Sequence, residues 1–242
     1  MLYILFSPSE GKNFGGGDAP MELLGGKESR EEILQAYNDI VLGNDEDTIK
    51  KLFGFKKFEE CKPYIADIFN APTLKAVQRY SGVAYDYLKY DELETEAQNY
   101  VDAHTIIFSN LFGPIKANDP IPIYKVKQGN AIGKFKPENY YKERFSYQLD
   151  LLLGNAEILD LRAGYYEKFY KTSRPYTTLK FLKNGKTVSH WAKAYRGIVL
   201  REMAKAKVET LQALQKLELP SLVCEEIKQT KNKTEIIYSI IE

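Results

Sequence analysis

Leu2-Tyr3-Ile4-Leu5-Phe6, five apolar residues in a row, gives way to Ser7-Pro8-Ser9-Glu10-Gly11-Lys12 and then to Gly15-Gly16-Gly17. An unbroken apolar run of this length suits a strand buried on both faces, as at the centre of a parallel sheet. The polar, glycine-rich sequel suits a loop at a strand end, where open α/β sheets bind ligands. The pattern recurs twice. Thr105-Ile106-Ile107-Phe108 opens into Ser109 to Gly113, and Glu157-Ile158-Leu159-Asp160-Leu161 runs into Arg162-Ala163-Gly164. These units predict one α/β (mixed α+β) domain over residues 1–242. Its central mixed sheet is flanked by helices, and loops 7–17, 109–124 and 162–166 border one cleft.

Working outward, Ser29 with Glu32 reads as a capping box before a helix reaching about Leu42. Asp45 reads as the cap of a short helix that Gly54 breaks, and a third helix with Phe58, Ile65 and Phe69 is expected to follow. More helix is predicted over 72–79 and 91–102. Tyr176 to Leu182, Asn184-Gly185 and Thr187 to Trp191 read as a hairpin with a type I′ turn. A helix is expected from Lys193 to Ala206, and a final strand from Thr234 to Ile241.

Charge is balanced overall but unevenly placed. Residues 1–100 hold 11 basic and 18 acidic side chains, whereas residues 101–200 hold 16 and 8. The stretch from Arg162 to Arg201 carries ten Lys or Arg and only Glu167 as an acid, with Tyr165, Tyr166, Tyr170, Tyr176, Trp191 and Tyr195 between the cations. Cations contact phosphates and aromatic faces stack on bases, so the mixture suits a nucleic acid or a phosphorylated ligand. A solvated basic face with aromatic residues rooted in the core is the plainer alternative.

Composition excludes several classes. Cys61 and Cys224 are far apart and form no CxxC, and with His104 and His190 they make an unpromising metal set, so no metal and no cofactor is expected. No segment reads as a signal peptide or a membrane span, which predicts a soluble, cytoplasmic protein; a monomer is expected. The glycine loop lacks the G-x-x-x-x-G-K-[ST] spacing of a P-loop. No helix carries the Glu-x-x-His pattern of di-iron bundles.

Taken in order, Pro8-Ser9-Glu10-Gly11-Lys12, Tyr80-Ser81-Gly82-Val83-Ala84-Tyr85, Ser109-Asn110-Leu111-Phe112-Gly113 with Lys116, Asp119, Pro122 and Tyr124, Leu159 to Tyr165, and Val188 to Gly197 resemble the motifs of the YaaA peroxide-stress protein family, in its P-S-E-G-K branch. The resemblance spans positions 1 to about 203. It departs at Ser9-Glu10-Gly11-Lys12, where other branches have Ala-Lys directly after Ser-Pro, and at Lys116-Ala117, where the family has Arg-Pro.

The resemblance implies a YaaA-type fold, survival of hydroperoxide, limitation of iron-driven damage, and binding of double-stranded DNA through a basic cleft and a helix-hairpin-helix-like element. That element falls around Phe53-Gly54-Phe55, with Lys50, Lys51, Lys56 and Lys57 beside it. On this reading Lys12, Lys116, Arg162, Lys193 and Arg196 join Lys50, Lys51 and Lys56 as phosphate ligands, and Ser9, Gly82, Tyr85, Gly113, Tyr124, Gly164 and Tyr165 line the cleft. Glu10, Asp119, Asp160 and His190 are the residues able to do acid–base work there. They leave open an enzyme acting on a nucleobase, nucleotide or damaged DNA, with a small anionic or nucleotide ligand as the alternative partner.

Overall fold

The computed structural model describes residues 1–241, with the side chains of Ser189 and His190 outside the description. The acid–base role considered for His190 therefore lies outside the described residues. In chain order the first half contains β1 (Leu2–Phe6), β2 (Gly11–Lys12), α1 (Glu31–Val41), α2 (Glu46–Phe53), β3 (Thr73–Lys75), α3 (Ala76–Arg79), β4 (Tyr80–Ser81), α4 (Val83–Leu88), α5 (Thr95–His104), β5 (Thr105–Ser109), β6 (Gly113–Lys116) and β7 (Pro120–Pro122). The second half contains α6 (Pro137–Leu153), β8 (Glu157–Asp160), β9 (Tyr176–Lys183), β10 (Lys186–Thr187), α7 (Ser189–Ala206), α8 (Leu211–Lys216), β11 (Leu222–Gln229) and β12 (Lys233–Ile240).

The main sheet runs β11-β12-β9-β8-β1-β5-β6, with β10 added beside β9. Its centre is parallel: β1 pairs with β5 and β8, and β9 pairs with β8 and β12. The antiparallel pairs β5–β6 and β11–β12 close its two edges. All five residues of β1 and all five of β5 are buried. Helices α5, α7 and α8 pack on β1, β9 and β8, giving the covered faces that a parallel sheet needs. From β1 the chain goes first to β5 on one side and later to β8 on the other. The ends of β1 and β8 therefore form the switch point of the sheet.

Several local expectations change. Arg30 is the N-cap residue of α1, Ser29 Oγ donates to the Gly25 carbonyl, and Glu32 pairs with Arg144, so no capping box forms. The reason is tertiary: Arg30 is drawn into the core, where it donates to the carbonyls of Phe112 and Pro114. Asp45 does cap α2, accepting from the amides of Asp47 and Thr48.

The chain after Gly54 forms only two 3₁₀ turns, Phe58–Glu60 and Lys62–Tyr64. The second helix of a helix-hairpin-helix is thus not formed. The amides of Gly54 and Phe55 both bond to the Lys50 carbonyl, and Lys127 lies against Gly54 so closely that a Cβ there would sit 2.4 Å from its Cδ.

Asn184 (φ 51°) and Gly185 (φ 71°) make the expected type I′ turn. The second arm, however, is the two-residue β10, and helix starts at Ser189. Burial of Tyr195, Val199, Leu200 and Met203 at helical spacing outweighs the strand propensity of Trp191. Of the predicted 72–79 helix only α3 forms, because Thr73–Lys75 pairs with β7.

Candidate functional site

A cavity of about 330 Å³ opens where β1 and β8 end. Phe6, Ser7, Pro8, Ser9 and Glu10 supply one wall, Leu161, Ala163 and Tyr166 a second, α4 a third, and Lys193 and Arg196 of α7 the fourth. The walls are held from behind. Ser7 Oγ accepts from the Ala163 amide at 2.7 Å, joining the two strand exits, and Tyr85 Oη donates to the Ser7 carbonyl at 2.9 Å. Helices α4 and α7 approach at Gly197, where a Cβ would stand 2.0 Å from the Ala84 carbonyl oxygen. Only glycine permits that approach, which brings α7 up to the cavity.

The Ser9–Glu10 segment is pinned by two lysines that are themselves buried. Lys12 Nζ donates to the Ser9 carbonyl at 2.6 Å and lies over the rings of Tyr80 and Tyr124. Burial, with Lys125 adding repulsion, pushes its ammonium well below the usual lysine range. Lys125 Nζ donates to the Glu10 carbonyl at 3.1 Å and stands 3.6 Å from its Oε2, while the Gln128 amide donates to Oε1. Lys125 and Gln128 were not singled out from the sequence. No motif includes them; the one sequence signal nearby was Tyr124, next to Lys125, and that Tyr124 and Val126 are both buried is seen only in the structure.

The arginines divide by what they touch. Arg162 grips Asp160 through Nε (2.9 Å) and Nη2 (2.7 Å), and its Nη1 donates to the carbonyls of Tyr166 and Tyr170. That guanidinium is fully engaged in structure. Arg196 faces the cavity half-buried, and no hydrogen bond or ion pair within 4 Å engages its guanidinium among the described residues. Burial lowers its pKa and Asp160 pulls it back up. Lys193 lies three residues earlier on the same face of α7. Because the helix begins at Ser189, both cations stand beyond its first turn, so neither is at the helix end where the sequence had placed them.

Other sequence candidates separate. Gly82 approaches Ser9, Tyr85 lines the cavity, and Tyr124 is buried in a hydroxyl chain with Tyr80 and Ser109. Gly164 and Tyr165 form part of a 3₁₀ turn next to the cavity wall, with Tyr165 Oη on Glu138. Gly113 (φ 66°) is needed for packing, since a Cβ would meet the Tyr141 ring at 2.2 Å.

Of loop 7–17 only residues 7–10 border the cavity. Residues 13–17 turn away, held by Arg79 on the carbonyls of Asn13 and Gly15. Lys116 and Asp119 depart most. Ser109 pairs with Gly113 at the cavity end of β5, whereas Ile106 pairs with Lys116, about 10 Å further down the strand. Asp119 accepts from the amides of Leu24 and Lys116, fixing a turn at that far end. Lys50 is paired with Asp47 at 2.7 Å, and Lys51 and Lys56 are exposed on the α2 segment, apart from the cavity lining.

Among the described residues no three His, Cys, Asp or Glu side chains converge as a metal would require, and no helix is long and apolar enough to cross a membrane.

A mixed sheet with a pocket at its switch point, walled on one side by a helix whose Arg196 has no hydrogen-bond partner among the described residues, defines an α/β protein with its candidate site at the strand ends. The chain belongs to the peroxide stress protein YaaA family, whose model matches residues 1–227. It is 44% identical to an uncharacterised protein of Campylobacter jejuni, over 100% of both chains. It is 33% identical to a UPF0246 protein of Corynebacterium efficiens, over 88% of this chain and 89% of that one. A UPF0246 protein of Streptomyces coelicolor is 27% identical over 84% and 82%.

Proposed function

We infer that this family member acts in the cytoplasm by binding double-stranded DNA along its basic stretch, limiting iron-driven damage during hydroperoxide stress. The observation that supports this most is Arg196. A half-buried guanidinium with no acceptor among the described residues stands beside exposed Lys193, within a stretch holding ten cations and one acid. A cation-rich, acid-poor stretch suits an anionic polymer.

Engagement of about four to six phosphates gives a log–log salt slope of roughly −4 to −5. Titrating labelled duplex across a salt series measures it, and binding that ignores salt rejects this reading. Replacing Lys193 and Arg196 together by Ala should weaken binding at low salt by about 2 kcal/mol and flatten the slope by about two. Replacing Lys50 and Lys51 should do less, because carboxylates surround that segment and Lys50 is already paired.

A second reading is favoured by Glu10, whose carboxylate lines the cavity in front of two buried lysines. A DNA groove has little use for a carboxylate, whereas an enzyme acting on a nucleobase, nucleotide or damaged DNA uses one for proton transfer. Turnover of such a substrate by the wild type and its loss in Glu10→Gln, with duplex binding retained, would favour the enzyme.

A further inference from the structure

We propose that the pocket between the exits of β1 and β8 takes a single nucleotide unit, its phosphate on Arg196 and Lys193 and its base against Tyr85 and Tyr166 beside the Glu10 carboxylate. The choice of nucleic-acid chemistry rests on the reading above; the shape and polarity of the site stand on their own.

Arg196 offers a planar fork of donors suited to bidentate contact with a phosphate, and nothing among the described residues engages it. Asp160, the nearby acid, is held by Arg162 on both oxygens. The remaining walls are largely apolar, through Phe6, Pro8, Val83 and Leu161, with two aromatic rings added. Those rings are fixed: Tyr85 donates to the Ser7 carbonyl and packs edge-on against Phe6 at 5.7 Å, and Tyr166 is turned in at the β8 exit. An apolar-aromatic slot of this kind suits the flat face of a base.

Glu10 supplies polarity of the opposite sign. Its oxygens accept from the Gln128 amide and face Lys125, and an ionised carboxylate has acceptor capacity beyond those two. It can take an N–H from a base edge, and it repels a second phosphate. A volume of about 330 Å³ lies at the small end of the range for ligand sites, which fits one nucleotide rather than two.

The test uses the full chain and the four 2′-deoxynucleoside monophosphates, their nucleosides, and inorganic phosphate, by calorimetry at fixed salt. At least one monophosphate should bind, with its nucleoside and inorganic phosphate each weaker by about tenfold or more. Arg196→Ala should weaken that monophosphate by about tenfold or more without changing nucleoside binding, and Arg196→Lys should restore part of the loss. Glu10→Gln should change the ranking among the four bases. No monophosphate binding at millimolar concentration by the folded protein overturns the proposal. So does binding unchanged in Arg196→Ala, or inorganic phosphate binding as tightly as any monophosphate.

A duplex carrying 2-aminopurine separates two sources of the ligand. A fluorescence rise competed away by monophosphate assigns an extruded nucleotide of DNA, and monophosphate binding without the rise assigns the free nucleotide; both support the pocket. Monophosphate binding without salt-dependent duplex binding would reject only the DNA reading, and the converse would reject only the pocket.

Discussion

Arg162 at the exit of β8 and Arg196 on α7 belong to the same acid-poor stretch and feel the same carboxylate, Asp160, yet the fold treats them oppositely. Arg162 is held by a bidentate ion pair and two carbonyls, while Arg196 is half-buried at a cavity wall with its donors unengaged among the described residues. Arg30 and Arg79 follow the first pattern, each buried and donating to three or more backbone carbonyls. Burying a cation costs stability unless acceptors surround it. An arginine that lacks them among the described residues is not accounted for by stability.

The comparison breaks most readily at Arg162. Arg162→Ala should lose about 3–5 kcal/mol in urea unfolding at neutral pH, because Asp160 stays buried without its partner. A loss below about 1 kcal/mol would mean the pair is as dispensable as a surface one.

Lys12 tests a buried cation that can lose its charge, held by the carbonyls of Ser9 and Glu10 and by the faces of Tyr80 and Tyr124. Its folded pKa is lowered from 10.5, so between the folded value and 10.5 the unfolded chain binds more protons and stability rises with pH. Within that window the wild type should gain on Lys12→Met by up to about 1.4 kcal/mol per pH unit. Measurements should stay below about pH 9.5, since buried Tyr80 and Tyr124 keep their protons in the fold and reverse the trend once unfolded tyrosines ionise. Parallel stability curves for the two proteins would show that Lys12 does not titrate differently on folding.

The smallest effect belongs to Arg196. Arg196→Met should leave the unfolding midpoint unchanged or raise stability by about 0.5–1 kcal/mol, since a partly desolvated charge is removed and nothing is left unpaired. A loss of several kcal/mol would reveal a structural role and erase the contrast with Arg162.

The sheet centre was legible because β1 is an unbroken apolar run and β5 and β8 carry apolar centres, Ile106-Ile107-Phe108 and Ile158-Leu159, each followed by a polar loop. The closing edge was not. β11 has one buried residue, Leu222, so its sequence carries no core pattern and only its pairing with β12 makes it a strand. Helix α6 also escaped notice, although Pro137 opens it and Tyr141, Phe145, Leu149 and Leu153 recur on its buried face; the charged and aromatic residues between them obscure the period. At the site, Glu10 could be picked out by its loop position and Arg196 by charge, whereas Tyr85 came only from the family resemblance. What sequence could not convey was direction along β6, which carries Lys116 and Asp119 away from the cavity, or the engagement of Arg162 by its own neighbours.

The central place of β1 has a consequence for how the chain is made. Its five apolar residues have no sheet partner until β5, about a hundred residues later, and no second one until β8. At about 5–20 residues per second on the ribosome, the first wait lasts roughly 5–20 s. Throughout it an unpaired, fully apolar strand is exposed, and pairings this distant in sequence are slow to form. A nascent chain halted before Asp160 should therefore be captured by holdase chaperones, and its release should require β8 to leave the exit tunnel.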